Sequence, residues 1–203
     1  MESNSILNEQ RLYALLHDVP ILRESEVRLF EDLIDMYRPV SILEVGTAIG
    51  YSTLLLAEHM EEGGRIISIE LDESRHEKAK EFLQQSKFAD KIDLRLGDAT
   101  EVIDTLEGPF DLVFLDGPKG QYLKQLEKIL PLLSDHAVIL ADNVLFRGYV
   151  EGGKEAPKRY KTIVARLKEY LDFVRDKNQF NTTIYPMGDG MSVSIWKGKY
   201  EKS

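Results

Sequence analysis

Residues suited to binding a nucleotide-like ligand lie at the ends of three successive apolar segments. The first segment leads into a turn from Gly46 to Gly50, where the missing side chains let a ligand approach the backbone. The second ends in Glu70, close to the roughly 20-residue spacing at which a carboxylate binds ribose hydroxyls. The third is followed by Asp98, whose carboxylate can accept the amino group of an adenine. Together these residues predict an adenosine site.

The spacing of the two glycines argues against a dinucleotide. Gly46 and Gly50 form a Gly-x-x-x-Gly turn, whereas a pyrophosphate needs the tighter Gly-x-Gly-x-x-Gly pattern to reach a helix N-terminus. Glu44 also disfavours a diphosphate and favours a cationic ligand. An ordinary strand, turn and helix is the alternative for this segment taken alone. The residues predicted to bind the cofactor are Glu44, Gly46, Thr47, Gly50, Tyr51, Ser52, Glu70, Asp98, Ala99 and Asp116.

Oxygen ligands follow two further apolar runs, 111–115 and 137–141. Asp116 comes after the first and Asp142 with Asn143 after the second. In an open α/β sheet the carboxyl ends of the strands meet at one crevice, so we expect these side chains to lie close together. Two carboxylates and an amide oxygen suit Mg²⁺ better than Zn²⁺, and the chain has no cysteine. The alternative is that these residues only begin a turn and cap a loop.

The elements that position these residues follow from the hydrophobic pattern. Apolar runs alternate with helical patterns, which predicts an α/β protein with a parallel sheet. Residues 5–17 and 24–37 are predicted to form amphipathic helices before the first strand, and residues 181–186 and 191–196 a hairpin. A length of 203 residues with 43% hydrophobic residues fits one α/β domain with a sizeable core.

From about residue 20 to residue 197 the chain resembles the class I S-adenosylmethionine-dependent methyltransferases. The motifs at 114–122 (FLDGPKGQY) and 139–145 (ILADNVL) are similar to those of metal-dependent O-methyltransferases of the catechol and caffeoyl-CoA type. The resemblance implies a Rossmann-like fold with a seven-stranded, mostly parallel sheet, a C-terminal antiparallel hairpin and helices on both faces. It implies S-adenosylmethionine as cofactor, Lys119 as general base, and Mg²⁺ or another divalent cation such as Mn²⁺ on Asp116, Asp142 and Asn143.

We expect a single methyltransferase domain over residues 1–203, with a helical cap at 1–38 and the Rossmann-like core at 39–203. The chain has no apolar run of about 18 residues and no signal-peptide pattern, so a soluble, cytoplasmic protein without a membrane partner is expected. The resemblance favours a homodimer.

A basic stretch from Arg147 to Lys161 follows the second motif and interleaves tyrosines. It is either a solvated loop or a lip that contacts phosphates, in which case Arg147, Lys158 and Arg159 are the predicted substrate contacts. Together with residues 46–52, 142–146 and 188–190, the stretch is similar to a bacterial family member that methylates 5-hydroxyuridine at the wobble position of tRNA. The leading substrate is therefore 5-hydroxyuridine in tRNA, although the net charge of −9 argues against indiscriminate nucleic-acid binding.

Two alternatives to tRNA stay open. A small catechol or similar molecule with two vicinal oxygens is the first, although Ser192 stands where the animal catechol enzymes carry a substrate-binding glutamate. The second is a module that binds S-adenosylmethionine without catalysis, against which Asp116, Lys119, Asp142 and Asn143 all weigh. A dinucleotide-dependent oxidoreductase is disfavoured by the glycine spacing.

Overall fold

Apolar runs that end in glycine or acidic turns form the strands of this protein, and the amphipathic segments between them form its helices. The structure is a computed structural model that describes residues 3–198. The chain divides into two compact units, Met1–Val102 (unit 1) and Ile103–Ser203 (unit 2). The cap at 1–38 and the core at 39–203 stay predictions, and residues 1–2 and 199–203 lie outside the described part.

Unit 1 begins with two helices whose residue ranges nearly match the predicted ranges 5–17 and 24–37. Its helices and strands in chain order are α1 (Ser3–His17), α2 (Glu24–Tyr37), β1 (Ser41–Val45), α3 (Tyr51–His59), β2 (Arg65–Glu70), α4 (Glu73–Leu83), β3 (Ile92–Leu96) and α5 (Ala99–Val102). The strands pair in parallel in the order β3-β2-β1.

The register of unit 1 places the predicted cofactor residues at one edge of its strands. Val45 pairs with Ile69, and Glu70 pairs with Leu96, so β1, β2 and β3 end side by side. The side chains from Ile42 to Val45 are all buried, as expected for a parallel strand covered on both faces. The turns that follow the three strands therefore leave from the same edge.

Unit 2 contains two parallel strands followed by the C-terminal hairpin. Its main elements are β4 (Phe110–Leu115), α6 (Tyr122–Ile129), β5 (Leu133–Ala141), α7 (Lys161–Val174), β6 (Phe180–Tyr185) and β7 (Met191–Trp196). β4 pairs with β5 in parallel, and β7 lies antiparallel between β5 and β6. The predicted hairpin is therefore confirmed. Single turns of 3₁₀-helix occur at 119–121, 146–148 and 158–160.

β5 begins earlier than the sequence predicts, at Leu133 rather than at residue 137. Its pairing with β4 shifts between Phe110 and Leu112, and His136 in the extra stretch has a left-handed backbone with φ 62°. Polar residues in this irregular stretch hide the strand from a hydrophobic pattern, which detects only its buried second half.

The seven strands belong to one sheet, in the order β3-β2-β1-β4-β5-β7-β6. It is mostly parallel and ends in an antiparallel hairpin, so the predicted α/β fold is confirmed. Within residues 3–198, no helix is both long enough and apolar enough to cross a membrane.

Candidate active-site residues

The glycine turn of unit 1 is tightly folded. Its backbone is left-handed at Gly46 (φ 103°), Ala48 (φ 49°) and Gly50 (φ 81°). A Cβ atom at position 50 would lie 2.9 Å from Cδ1 of Leu83, so a side chain there would press against α4. Glycine is needed at position 50 both for its backbone angle and for this close approach.

Glu70 holds the turn in place through backbone amides. Its Oε2 accepts a hydrogen bond from the N–H of Ala48 at 2.7 Å. Its Oε1 accepts from the N–H groups of Leu71 and Asp72, both at 2.9 Å. A carboxylate offers about four lone-pair sites, so Glu70 keeps acceptor capacity for a ribose hydroxyl. The residue predicted to bind ribose is thus also one that fixes the shape of the glycine turn.

Glu44 lies in a buried network of hydroxyl groups. Its carboxylate accepts hydrogen bonds from Ser52 Oγ, Thr53 Oγ1 and Ser68 Oγ, each at 2.5 Å, and Thr47 Oγ1 lies 2.5 Å from the same Ser68 Oγ. Burial of a carboxyl group is unfavourable unless it is hydrogen-bonded, and these hydroxyls supply its hydrogen bonds. The network ties the end of β1 to β2 and to α3. Binding of a cofactor by Glu44, Thr47 and Ser52 stays a prediction, and the structure places all three in the support of the turn.

Tyr51 is buried at the start of α3, and its hydroxyl accepts a hydrogen bond from Arg11 Nε at 2.8 Å. The Arg11 guanidinium also lies 5.5 Å from the centre of the Tyr51 ring. Burial raises the pKa of the phenol, an effect that Arg11 partly offsets. The contact from α1 was not predicted, because an arginine on an amphipathic helix carries no sequence signal for a partner 40 residues away.

Asp98 and two leucines surround the end of β3. Asp98 is exposed, and its Oδ1 accepts from the N–H and the hydroxyl of Thr100, both at 2.7 Å, while Ala99 is buried. Leu71, which directly follows Glu70, is 60% exposed, and Leu96, the strand partner of Glu70, is 46% exposed. Exposed leucines beside the predicted ribose ligand are suited to contact with an adenine ring. Neither leucine was predicted, although the position of Leu71 directly after the acidic end of β2 was a usable signal.

In unit 2, Asp116 and Asp142 are neighbours at the carboxyl ends of β4 and β5. Leu115 pairs with Ala141, and the N–H of Asp142 donates to the carbonyl of Leu115 at 3.0 Å. Asp142 is buried, and its Oδ1 accepts from the N–H of Asn143 at 2.7 Å. Asn143 has a left-handed backbone, φ 57°. The structure therefore brings together the residues that the sequence predicts to hold a cation.

Lys119 completes this cluster. Its Nζ donates to Asp116 Oδ1 at 2.7 Å, and it lies 5.8 Å from the centre of the Tyr122 ring. Burial raises the pKa of Asp116, and the positive charge and hydrogen bond of Lys119 act in the opposite direction. A lysine so placed is within reach of any acceptor oxygen bound beside Asp116.

Buried phenols support the cluster from α6 and α7. The hydroxyl of Tyr122 donates to the backbone carbonyl of Asp142 at 3.0 Å, and Tyr170 packs edge-on against Tyr122 at 5.6 Å. Burial, followed by the charges of Asp116 and Asp142, raises the pKa of Tyr122 well above its usual range. Tyr122 therefore stays protonated and acts as a hydrogen-bond donor that fixes the backbone of Asp142.

The chemistry of this cluster fits a divalent cation. The residues described by the structure contain no group of three or more His, Cys, Asp or Glu side chains arranged for a metal. A cation here would therefore use two carboxylates, the Asn143 amide oxygen and oxygens from water or substrate, which is how Mg²⁺ is commonly held. The ammonium of Lys119 on Asp116 shows that this place already accepts a positive charge.

The loop that carries Asn143 is attached to the β6–β7 turn. The N–H groups of Val144 and Leu145 donate to the carbonyls of Gly190 at 2.9 Å and Asp189 at 2.8 Å. A Cβ atom at position 190 would lie 2.4 Å from Cγ of Leu145, and Gly190 has φ 84°. The hairpin therefore helps to position a predicted metal ligand.

Two of the three predicted substrate residues, Arg147 and Arg159, form a basic–aromatic cluster with Tyr160 and Phe146. The guanidinium groups of Arg147 and Arg159 lie 5.5 and 4.6 Å from the Tyr160 ring centre, and Phe146 packs edge-on against the same ring at 5.3 Å. Both arginines and Lys158 are exposed. A groove of about 530 Å³ next to the cluster is lined by Glu155, Ala156, Pro157, Lys158 and Lys161.

The chain is similar to known O-methyltransferases. The model of a family described as O-methyltransferase matches residues 4–197. Caffeoyl-CoA O-methyltransferase 1 of Eucalyptus globulus is 28% identical over 173 residues, which cover 79% of this chain and 68% of the relative. The Arabidopsis thaliana protein of the same name is 28% identical over 174 residues, covering 79% of this chain and 65% of its own.

Solved structures show the same fold. A Staphylococcus aureus protein assigned as a caffeoyl-CoA O-methyltransferase superposes with a TM-score of 0.85 at 28% identity, covering 94% of this chain and 91% of that one. A Bacillus cereus O-methyltransferase in complex with SAH has a TM-score of 0.85 at 23% identity, covering 95% and 91%.

The chain belongs to the O-methyltransferase family. The prediction of an S-adenosylmethionine-dependent O-methyltransferase of the catechol and caffeoyl-CoA type is therefore confirmed.

Proposed function

We propose that this O-methyltransferase methylates the 5-hydroxyl of 5-hydroxyuridine in the anticodon loop of tRNA, giving 5-methoxyuridine, with S-adenosylmethionine as donor and a divalent cation, Mg²⁺ or Mn²⁺. The observation that carries the proposal is that unit 2 combines two kinds of group. Neighbouring Asp116 and Asp142 suit a cation, and exposed Arg147 and Arg159, which lie over the Tyr160 ring, suit a nucleic acid.

Unit 1 supplies the groups for the methyl donor. Glu70 has acceptor capacity for ribose hydroxyls, and Leu71 and Leu96 expose apolar surface beside it for the adenine. Asp98 is exposed at the end of β3, where it can accept the exocyclic amino group. The tightly folded glycine turn leaves its backbone open to close approach by the ligand.

The reaction transfers a methyl group from the donor to the acceptor and removes one proton from the acceptor. The acceptor oxygen forms a bond to the methyl carbon while the bond from carbon to sulfur breaks, and S-adenosylhomocysteine leaves. Lys119 Nζ, 2.7 Å from Asp116 Oδ1, takes the proton of the acceptor hydroxyl, for which it must be neutral beforehand. Asp116, Asp142 and Asn143 would hold the cation, which when bound supplies a Lewis acid that orients two neighbouring acceptor oxygens and favours the ionised hydroxyl.

Two features of 5-hydroxyuridine in tRNA fit the residues of unit 2: its two neighbouring oxygens and the phosphates of the RNA chain. 5-Hydroxyuridine carries a hydroxyl next to the C4 carbonyl and so offers two neighbouring oxygens, as a catechol does. A catechol has no phosphates for Arg147, Lys158 and Arg159 to contact. Single-stranded RNA is commonly bound by basic side chains that contact its phosphates and by aromatic rings or arginine planes that stack on its bases. A small vicinal-oxygen acceptor is the second candidate, because the cation site serves it equally well. The homodimer stays a prediction.

The test measures transfer of a labelled methyl group from S-adenosylmethionine to tRNA containing 5-hydroxyuridine and, separately, to catechol. We expect the tRNA to be the better acceptor by at least about tenfold in kcat/KM, a difference of about 1.4 kcal/mol. A chelator should abolish transfer to both, and added Mg²⁺ or Mn²⁺ should restore it. Efficient use of catechol with inert tRNA contradicts the proposed substrate, and donor binding without transfer to either acceptor supports the non-catalytic module.

A variant pair separates recognition of tRNA from catalysis. Replacing Lys158 and Arg159 by alanine should weaken binding of tRNA and lower its salt dependence, while turnover of catechol is retained. Lys168→Ala, an exposed position on α7, is the matched control and should change neither. Equal losses on both acceptors would contradict a role for the two basic residues in tRNA binding.

A further inference from the structure

A fully buried glutamine connects α1 to the glycine turn. Gln10 is 0% exposed and lies on the face of α1 that buries Ile6, Leu7 and Ala14. Its Nε2 donates to the backbone carbonyl of Ile49 at 3.0 Å, and its Oε1 has no hydrogen-bond partner in the part of the chain that the structure describes. Burial of a polar amide is unfavourable unless it is hydrogen-bonded, so stability alone favours an apolar residue at this position.

The carbonyl that Gln10 binds belongs to the most constrained part of the turn. Ile49 lies between Ala48 and Gly50, both of which have left-handed backbone angles. The N–H of Ala48 is bound by Glu70, the proposed ribose ligand. Gln10 therefore holds the peptide of Ile49, and Glu70 holds the residue before it. Loss of the first contact should disturb the second.

The neighbouring residue of α1 makes an independent contact. Arg11 donates to the hydroxyl of Tyr51, the first residue of α3, at 2.8 Å. α1 is fixed further along by Tyr13, which packs edge-on against Phe82 of α4 at 5.8 Å. A helix anchored in this way can hold a turn at a defined position instead of following its motion.

We infer that Gln10 is a positioning residue for the methyl donor. By fixing the Ile49 peptide it keeps the Ala48 N–H and the Glu70 carboxylate in the arrangement that receives the adenosine part of S-adenosylmethionine. Gln10 acts through the turn, so it sets the affinity for the donor and leaves the chemical step at saturating donor unchanged. The inference rests on the donor site proposed for unit 1 and does not depend on the identity of the acceptor.

The experiment measures binding of S-adenosylmethionine and S-adenosylhomocysteine to the full chain by calorimetry, for the wild type and for Gln10→Met, which keeps the length of the side chain but cannot donate. We expect Kd for both ligands and KM for the donor to rise about tenfold, because one hydrogen bond is lost. The value of kcat at saturating donor should stay within about twofold. Deuterium uptake over residues 46–51 of the free protein should increase.

Glu9→Met, exposed on the same helix, is the matched control and should leave both Kd values, KM, kcat and the deuterium uptake unchanged. Gln10→Asn, which keeps an amide but is one methylene too short, is the second variant should Gln10→Met not fold, and it should show the same rise in Kd. An unchanged Kd in a folded variant overturns the inference, even if the melting temperature of that variant is lowered. If the wild type itself binds neither ligand, the proposed donor site is wrong, which is a different outcome.

Discussion

Replacing Lys119 by arginine is expected to lower kcat by about 10²- to 10⁴-fold, the usual contribution of a positioned general base. Arginine keeps a positive charge next to Asp116, where Lys119 Nζ now lies at 2.7 Å, but it does not release its proton in proteins. The ion pair is thus retained while the base is lost. Single-turnover methyl transfer, with Kd for S-adenosylmethionine measured in parallel, checks this expectation.

Two further variants define the result for Lys119. Lys119→Ala removes both the base and the partner of Asp116, and it should be at least as slow as Lys119→Arg while Kd for the donor stays within about twofold. Lys124→Ala, exposed on α6, should behave as the wild type. Activity of Lys119→Arg close to that of the wild type would contradict the role of Lys119 as base, and loss of donor binding would assign it to the donor site instead.

The second large effect is expected for Asp142→Asn. Asparagine retains an oxygen that can accept the N–H of Asn143, now 2.7 Å from Asp142 Oδ1, so the fold of the loop is preserved. It removes one of two carboxylate charges from the proposed cation site. Lewis-acid stabilisation is worth several kcal/mol, so kcat/KM should fall by about a thousandfold. Titration with Mn²⁺, followed by the signal of the free ion, should show weaker binding.

A variant of the same type near the other end of β5 is the control for Asp142. Asp135 lies exposed near the beginning of β5, whereas Asp142 directly follows its end. Asp135→Asn should leave both activity and Mn²⁺ binding unchanged. Unchanged Mn²⁺ affinity of Asp142→Asn would place the cation elsewhere, and unchanged kcat/KM would remove the cation from the reaction.

Sequence patterns predicted the parts of this protein that depend on local order. β7 has the predicted limits and β4 begins one residue before the predicted run 111–115, since each is a short run of β-forming residues. Asp116 and Asp142 were predicted to be neighbours because parallel strands end at the same edge of a sheet, and their register shows that they are.

Long-range contacts were not predictable in the same way. The hydroxyl partners of Glu44 and the hydrogen bonds from Gln10 and Arg11 connect residues far apart in the chain, and no periodicity reports them. A glutamine on the buried face of an amphipathic helix looks like an interruption of the pattern. The irregular first half of β5 was missed because its polar residues and the left-handed backbone of His136 break the alternation.

The most direct measurement of the proposed function identifies the methylated atom. tRNA carrying 5-hydroxyuridine is incubated with the protein, S-adenosylmethionine and Mg²⁺, and its nucleosides are separated and analysed by mass spectrometry. We predict that 5-hydroxyuridine is converted to 5-methoxyuridine, that Lys119→Arg and a chelator each prevent the conversion, and that tRNA with uridine at the same position gains no methyl group. Unchanged 5-hydroxyuridine in the presence of active enzyme would contradict the proposed function. So would transfer of a new methyl group to any other nucleoside instead.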